Sequence, residues 1–358
     1  MKFRIKKIPQ YFFVAVNLLV VVAMNVCAYT TWLNSNKFPD YSHLGMVFPL
    51  FLLGSLFFLV FWMIFKWRLM LISLLGMLLC VSSIRTFCPL NYPVDIPDGC
   101  IKVMSYNVMG FGKHDSIPWD ENEIVRYINQ SQADIVCLQE GNVTKSMTPQ
   151  QLFGDVYPYV VTDTVEKVPH LIILSKFPIL SNERIHYESA TNASVAHKIL
   201  LGKDTLLVVN NHLESYKLKD KDKDDYKTII KDPENDENEQ RYDSLVHKLK
   251  KANAIRALQA DSVALYVQKS TCRYVICMGD FNAPSLSYSH YRLTRELDDA
   301  YTRSGNGPGI SYNRSGMYFR IDNILVSPNI TPYGAKVDAF SKMSDHYPII
   351  SYLKFGVE

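Results

Sequence analysis

The chain has 358 residues, enough for two ordinary domains. It carries 38 Lys and Arg against 35 Asp and Glu, but 8 of the basic and 3 of the acidic residues fall within 1–100. Residues 101–358 therefore hold 38 minus 8, or 30, basic groups and 35 minus 3, or 32, acidic ones, a net of −2 that speaks against a dedicated nucleic-acid-binding face.

In chain order, the first signals are apolar. Residues 11–33, 44–65 and 69–87 are runs long enough to span a bilayer as helices, the last with Arg85 placed to snorkel. The basic start MKFRIKK could open a signal peptide, but a second spanning run follows within about ten residues, so residues 1–87 read as a membrane region of three helices. Lys2, Arg4, Lys6 and Lys7 precede the first run, and Lys66 and Arg68 separate the second from the third. Basic ends on the inside place everything after the third helix outside, which in a bacterium is the extracytoplasmic side of the inner membrane; were the third run, with its Arg85, not to span, the catalytic part would be cytoplasmic instead.

Residues 88–100, rich in Pro, cannot continue a helix and read as a tether. Cys88 and Cys100 flank it and could bridge in an oxidising compartment, whereas Cys27 and Cys80 fall in apolar helices and Cys137 and Cys277 in core strands. From 101 to 358 the pattern is one domain without internal repeats. Strands are expected at 101–106, 134–139, 158–162, 170–175, 205–210, 273–279, 321–326 and 347–353. Helices are expected at 120–131, with Asp120 as N-cap, and at 240–269. The charged run 217–239 reads as a solvated loop, or as a lid, since it follows His212 closely.

Five strings carry the chemistry: MSYNV (104–108), CLQE (137–140), NNHLES (210–215), MGDFN (278–282) and SDHYP (344–348). Each brings an apolar, strand-like run to Asn, Asp, Glu or His, which is how α/β enzymes present reactive groups at a sheet edge. Asn107 and Glu140 supply oxygens of the kind Mg²⁺ prefers. Asp280 and Asn282, two apart, fall on one side of an extended chain and could hold a water and the phosphate it attacks. His346 suits proton transfer near neutral pH, and Asp322 is a candidate to orient it; His212 could supply a second proton or a phosphate contact. Any of these alone could equally cap a loop or fill a turn. No P-loop, GxSxG elbow or HExxH helix is present, which weakens NTPase, serine hydrolase and zinc protease readings.

In this order and spacing, over essentially all of 101–358, the strings resemble the endonuclease/exonuclease/phosphatase superfamily, whose fold is that of deoxyribonuclease I. The resemblance implies an α+β fold, a four-layer α/β/β/α sandwich, here preceded by about three transmembrane helices. It implies a metal site at Asn107 and Glu140 with Asp345 nearby, a nucleophile-positioning pair in Asp280 and Asn282, and Asp322 orienting the catalytic His346. His212 matches the second histidine of the nuclease and sphingomyelinase-like branches, and Lys176 stands where Arg is usual. Asn323, where an aromatic is common, and His170, where a small residue is usual and an exposed edge position is expected, are departures.

The implied activity is a membrane-anchored phosphoesterase dependent on Mg²⁺, with Mn²⁺ as a substitute, acting by in-line attack of water on phosphorus. A nuclease-like phosphodiesterase is favoured. A phospholipid or small phosphorylated molecule as substrate is the alternative, and a non-catalytic membrane binding module is the reading from another class. The expected partners are the phosphate ester and the lipid bilayer.

Overall fold

Apolar helices open the computed structural model, which describes residues 8–113, 118–143, 147–163, 170–189, 191–232, 238–314, 316–340 and 342–356. The basic residues 2–7 used for orientation lie outside these. The stretches Gln10–Trp32 and Pro39–Phe65 are long and apolar enough to cross a membrane. The third expected span is different: Met70–Leu79 and Val81–Phe87 are separate helices bent by 69° at Cys80. Cys80 leaves the helical well, with φ −116° and ψ 26°. Ten residues of helix rise only about 15 Å, half the bilayer's hydrocarbon core, so this run is a broken span or a re-entrant segment. Side chains and small residues join the helices: Ser73 Oγ donates to Asn17 Oδ1 at 2.9 Å, and Asn25 Nδ2 to the Gly76 carbonyl at 3.1 Å.

The Pro-rich segment 88–100 is extended but is not a free tether. Gly307 N donates to the Pro89 carbonyl, and Asn91 Nδ2 donates to the carbonyls of Thr302 and Gly305. Cys88 and Cys100, which could have bridged, are both free thiols.

Two six-stranded sheets follow. The first has the order β13-β14-β1-β2-β4-β3 and comprises β1 (Ile101–Asn107), β2 (Ile135–Gln139), β3 (Tyr159–Asp163), β4 (Leu171–Ser175), β13 (Ile330–Val337) and β14 (Ile349–Phe355). The second has the order β5-β6-β7-β8-β12-β9. It comprises β5 (Ile179–Arg184), β6 (Ala193–Leu201), β7 (Asp204–His212), β8 (Tyr274–Asp280), β12 (Asp322–Val326) and the short β9 (Asp298–Asp299). A hairpin of β10 (Tyr312–Arg314) and β11 (Met317–Phe319) stands apart.

Period-two alternation builds the layers. In β8, Tyr274, Ile276 and Met278 face the core between the sheets with Val103, Ile135 and Ile324, while Val275 and Cys277 face Ala260, Val263 and Ala264 of the helix Asn238–Lys269. In β1, Val103 points inward, and Met104 and Tyr106 pack outward on Ile124, Val125 and Ile128 of the helix Glu123–Gln130. Helix on sheet on sheet on helix is the expected four-layer α/β/β/α sandwich.

All eight expected strands are present. β5, β6, β9, β10, β11 and β13 were not expected; β5 carries four exposed polar-rich positions in its middle and shows no core-facing pattern. Two helix readings are corrected. Asn122, not Asp120, caps the helix at Glu123, its Oδ1 accepting from Ile124 N at 3.0 Å and Val125 N at 3.2 Å. The charged run 217–239 contains a helix, Asp220–Lys231, bound to the long helix by Lys248–Asp222 and Arg241–Asp225 ion pairs. Two of its carboxylates, Asp222 and Asp225, are thus partnered across helices rather than solvated, while residues 233–237 lie outside the described residues.

Candidate active site

Strand pairing alone brings the polar residues together. In the second sheet His212 is in register with Asp280, and Asp280 with Asp322. In the first sheet Asn107 ends β1 beside Gln139, after which comes Glu140. His346 lies just before β14. Strands β1 and β2 of the first sheet and β7, β8 and β12 of the second therefore bring these residues to one edge of the sandwich.

Asp280 is the meeting point. Its Oδ2 accepts from Asn107 Nδ2 at 3.0 Å and from Asn282 Nδ2 at 3.1 Å. The same oxygen lies 3.7 Å from His346 Nε2 and 3.8 Å from His212 Nε2. Asn107 Nδ2 also donates to Glu140 Oε1 at 3.2 Å, and His212 Nε2 is 3.6 Å from that oxygen. On its other side His346 Nδ1 is 2.8 Å from Asp322 Oδ2. The structure thus gathers Asn107, Glu140, His212, Asp280, Asn282, Asp322 and His346. Asp345 is half-buried beside them and makes no side-chain hydrogen bond or ion pair among the described residues.

The reason Asp280 and Asn282 meet is not the extended geometry expected. The strand stops at Asp280, Asn282 adopts a left-handed φ of 49°, and its N–H donates to Asp280 Oδ1 at 2.8 Å. An Asx-type turn therefore folds Asn282 back onto the carboxylate. Gly279 makes the approach possible: its φ is 143°, and a Cβ would collide with the backbone of Asn211. Glu140 also holds φ 53°, unusual for a residue with a side chain and a form of strain that collects at functional sites.

Burial and charge set the proton affinities. Burial raises the Asp280 carboxyl above its ordinary value, against the opposing pull of His346. For His346, burial lowers the pKa, but the carboxylates of Asp322 and Asp280 prevail and hold it raised to about 10. The outcome is a buried carboxylate of heightened basicity facing a histidine that keeps its proton.

Asp280, Asp322 and His346 bring one ligand atom each within 4.8 Å of one another. Because His346 Nδ1 is already engaged by Asp322, that trio is built as a charge relay more than as an ion cage. The better fit for a hard cation is at Glu140 and Asn107. There an amide N–H₂ stands between two carboxylates, Glu140 and Asp280, supplying the positive end a cation would supply. Turning the amide would present Asn107 Oδ1 instead, giving up its bond from Met109 N at 3.1 Å.

Several supporting residues escaped the sequence reading. Ser344 Oγ donates to the Asn107 carbonyl at 2.7 Å and accepts from His346 N at 3.1 Å, tying the histidine to β1. Ser311 Oγ accepts from the backbone N–H of both Ile321 and Asp322. Tyr312 sets its ring edge-on to His346, centroids 5.2 Å apart. Gln139 Nε2 donates to Asn210 Oδ1 at 2.8 Å, bridging the sheets beneath the site. Gln139 and Asn210 stand inside the quoted strings and were legible there; Tyr312 has no sequence signal. Of the noted residues, Lys176 pairs with Asp134 at the opposite strand end, and Asn323 Nδ2 bonds the Ile321 carbonyl. His170 is half-buried, not exposed, because its carbonyl accepts from Gly141 N beside Glu140.

A family model described as the endonuclease/exonuclease/phosphatase family matches residues 104–346, and one described as a domain of unknown function matches residues 10–87. No curated protein matches the chain. Among solved structures, truncated Caenorhabditis elegans TDP2 is similar with a TM-score of 0.52 at 15% identity, covering 74% of this chain and 100% of its own. D. rerio TDP2 complexed with single strand DNA product gives 0.50 at 16% identity, covering 72% of this chain and 100% of its own. The human nocturnin catalytic domain with bound sulfate anion gives 0.50 at 16%, covering 73% and 96%. At such identities the likeness is one of fold.

Proposed function

Since this chain belongs to the endonuclease/exonuclease/phosphatase family, we propose that it is a membrane-anchored, Mg²⁺-dependent phosphodiesterase, with Mn²⁺ able to substitute. The observation that carries this is the convergence of Asn107, Asn282, His212 and His346 on Asp280 Oδ2. Glu140 and Asn107 would hold the metal, with Asp345 on its flank. When bound, the metal neutralises charge on the phosphate's non-bridging and leaving oxygens.

The protein's own groups divide the remaining work. Asp280, made more basic by burial, takes the proton of the attacking water, and Asn282 orients that water. His346, kept charged by Asp322, donates a hydrogen bond to the phosphate oxygen where negative charge grows. His212, whose Nδ1 is buried without a partner, offers a second polar contact on the opposite side of Asp280. The D. rerio structure, of the same fold, holds a single strand DNA product, in keeping with a phosphate ester as the substrate.

The helices Ile8–Tyr29 and Phe48–Phe65 serve as the anchor in this reading, and the bent pair Met70–Leu79 and Val81–Phe87 brings the chain back across, which puts the sandwich on the extracytoplasmic side. A reporter fused to the C-terminus that is active only in the cytoplasm would overturn that side. For the chemistry, the purified full chain with Mg²⁺ should hydrolyse bis(p-nitrophenyl) phosphate, and Glu140→Ala and His346→Ala should each abolish turnover. Wild-type rates in either variant would end the proposal.

A further inference from the structure

The apolar helices do not hang loosely from the sandwich. Trp32 stacks on Tyr291, Asn34 Nδ2 donates to Asp261 and Tyr288, and Asn253 Nδ2 donates to the Ser42 carbonyl. Arg320 Nη2 donates to the Thr86 carbonyl at 2.7 Å. The tightest approach is at Gly45, where any Cβ would collide with the Leu286 carbonyl. Leu286 itself packs with Met24, Phe48 and Leu52 at the head of the helices. It stands four residues beyond Asn282, so the helix ends reach the loop that leaves the active site.

An apolar slot lies at this junction. Pro49 and Phe87 wall it from the helix ends, and Leu286, Ile310, Tyr318 and Phe319 wall it from the sandwich. It encloses about 30 Å³, room for the tip of an alkyl chain, and Tyr318 at its mouth is 60% exposed. Phe319 pairs across the hairpin with Tyr312, whose ring contacts His346. One short hairpin therefore borders both the slot and the catalytic histidine.

We propose that the substrate is a phospholipid, drawn from the membrane so that its phosphate reaches Asp280 and His346 while the tip of an alkyl chain enters this slot. The proposal rests on the phosphodiesterase reading above and names its substrate class. Continuity carries it: the slot's inner wall is the end of the same helices that would sit in hydrocarbon. A chain rising beside them keeps its methylenes out of water from bilayer to slot. The net charge of −2 on residues 101–358 gives a polyanion no overall attraction. In the reaction, water's oxygen bonds to phosphorus as the bond to the alcohol oxygen breaks. One water proton ends on that alcohol, and the diester becomes a monoester.

The test uses the full chain in nanodiscs with Mg²⁺. Its soluble substrate is glycerophosphoglycerol, and its lipid is dihexanoyl phosphatidylglycerol below its micelle concentration. The expected kcat/KM for the lipid exceeds that for the soluble diester at least tenfold, and Ile310→Asp lowers this ratio at least fivefold. Tyr318→Asp, at an exposed position that does not threaten folding, lowers it in the same direction. Independently of turnover, phosphatidylglycerol with a diazirine at the chain end should label residues 308–320. Turnover of both diesters at equal kcat/KM, with label confined to 8–65, overturns the lipid assignment and spares the hydrolase. Preferred cleavage of a single-stranded oligonucleotide overturns it as well. Labelling of 308–320 with no turnover of any diester instead sinks the hydrolase reading, and the lipid as substrate with it.

Discussion

His346 Nδ1 lies 2.8 Å from Asp322 Oδ2, and that one contact fixes both the direction and the charge of the histidine ring. With Nδ1 engaged, only Nε2 is left to face Asp280 and any substrate. The other Asp322 oxygen is buried without a donor, so the carboxylate spends its field on the ring.

Asp322→Asn keeps the shape and removes the charge, and turnover should fall on the order of 10²–10⁴-fold. In metal-free protein the His346 pKa should drop from about 10 toward the ordinary histidine value of 6.5. Because the folded value is raised, the pair's stabilisation is present below 6.5 and lost as pH rises through about 10. Ring-proton NMR titration of both proteins checks this; an unshifted histidine in the variant would contradict it.

Glu140 is tested by linkage. At a Mg²⁺ concentration 100 times its Kd, binding to the folded state alone adds about 2.7 kcal/mol, a measurable rise in Tm. Glu140→Gln should abolish most of that rise while leaving the metal-free Tm near wild type, because the side chain is partly exposed. A full Mg²⁺-dependent shift in the variant would move the metal elsewhere.

His197 makes an acid-sensitive point within the sandwich. It is 1% exposed on the face of β6 shared by Val195 and Ile199, neither ring nitrogen has a partner among the described residues, and burial lowers its pKa to about 3. Its folded pKa lies below its unfolded one, so stability is full above pH 6.5 and lost as pH falls toward 3. The swing is at most about 4–5 kcal/mol. His197→Leu should flatten urea-melting stability across that window; an unchanged slope between pH 6.5 and 4 would refute the assignment.

Arg320 joins two parts of the chain through one guanidinium, bonding Asp299 Oδ2 at 2.9 Å and the Thr86 carbonyl at 2.7 Å. Arg320→Met removes the guanidinium from a buried carboxylate that His290, Thr302 and the Tyr301 N–H still contact, and should cost up to about 3–5 kcal/mol. Lysine cannot serve both acceptors with the same fork, so Arg320→Lys should recover only part of it. Thermal melts in detergent report both; equal stability of Lys and Arg would show that charge alone matters.

The site was legible in the sequence because each catalytic candidate ends or begins a strand whose apolar pattern is plain. The runs before Asn107, Glu140, His212 and Asp280 are hydrophobic on both faces, as strands buried between layers must be. β5 and β13 were missed because their residues are polar or exposed along much of their length, so neither carries that pattern. The helix 220–231 was hidden for another reason. Its stability comes from ion pairs to Lys248 and Arg241, partners more than fifteen residues away. The left-handed turn at Asn282 is local, yet Asp280 and Asn282 read as neighbours on a strand until the backbone is seen to reverse.

By itself the sequence determined the kinds of group at the site and the strands that would carry them, because side-chain periodicity is a local property of the chain. It also determined the apolar helical runs within residues 11–87, since length and hydropathy are enough for that. Only the tertiary structure decided that Asp280 Oδ2 is the common contact of residues from both sheets, because sheet pairing and inter-sheet packing are set by the whole core. It alone broke the third apolar run at Cys80 and seated Gly45 against Leu286. Such close contacts depend on the complementary shapes of distant segments, and no stretch of sequence carries that information alone.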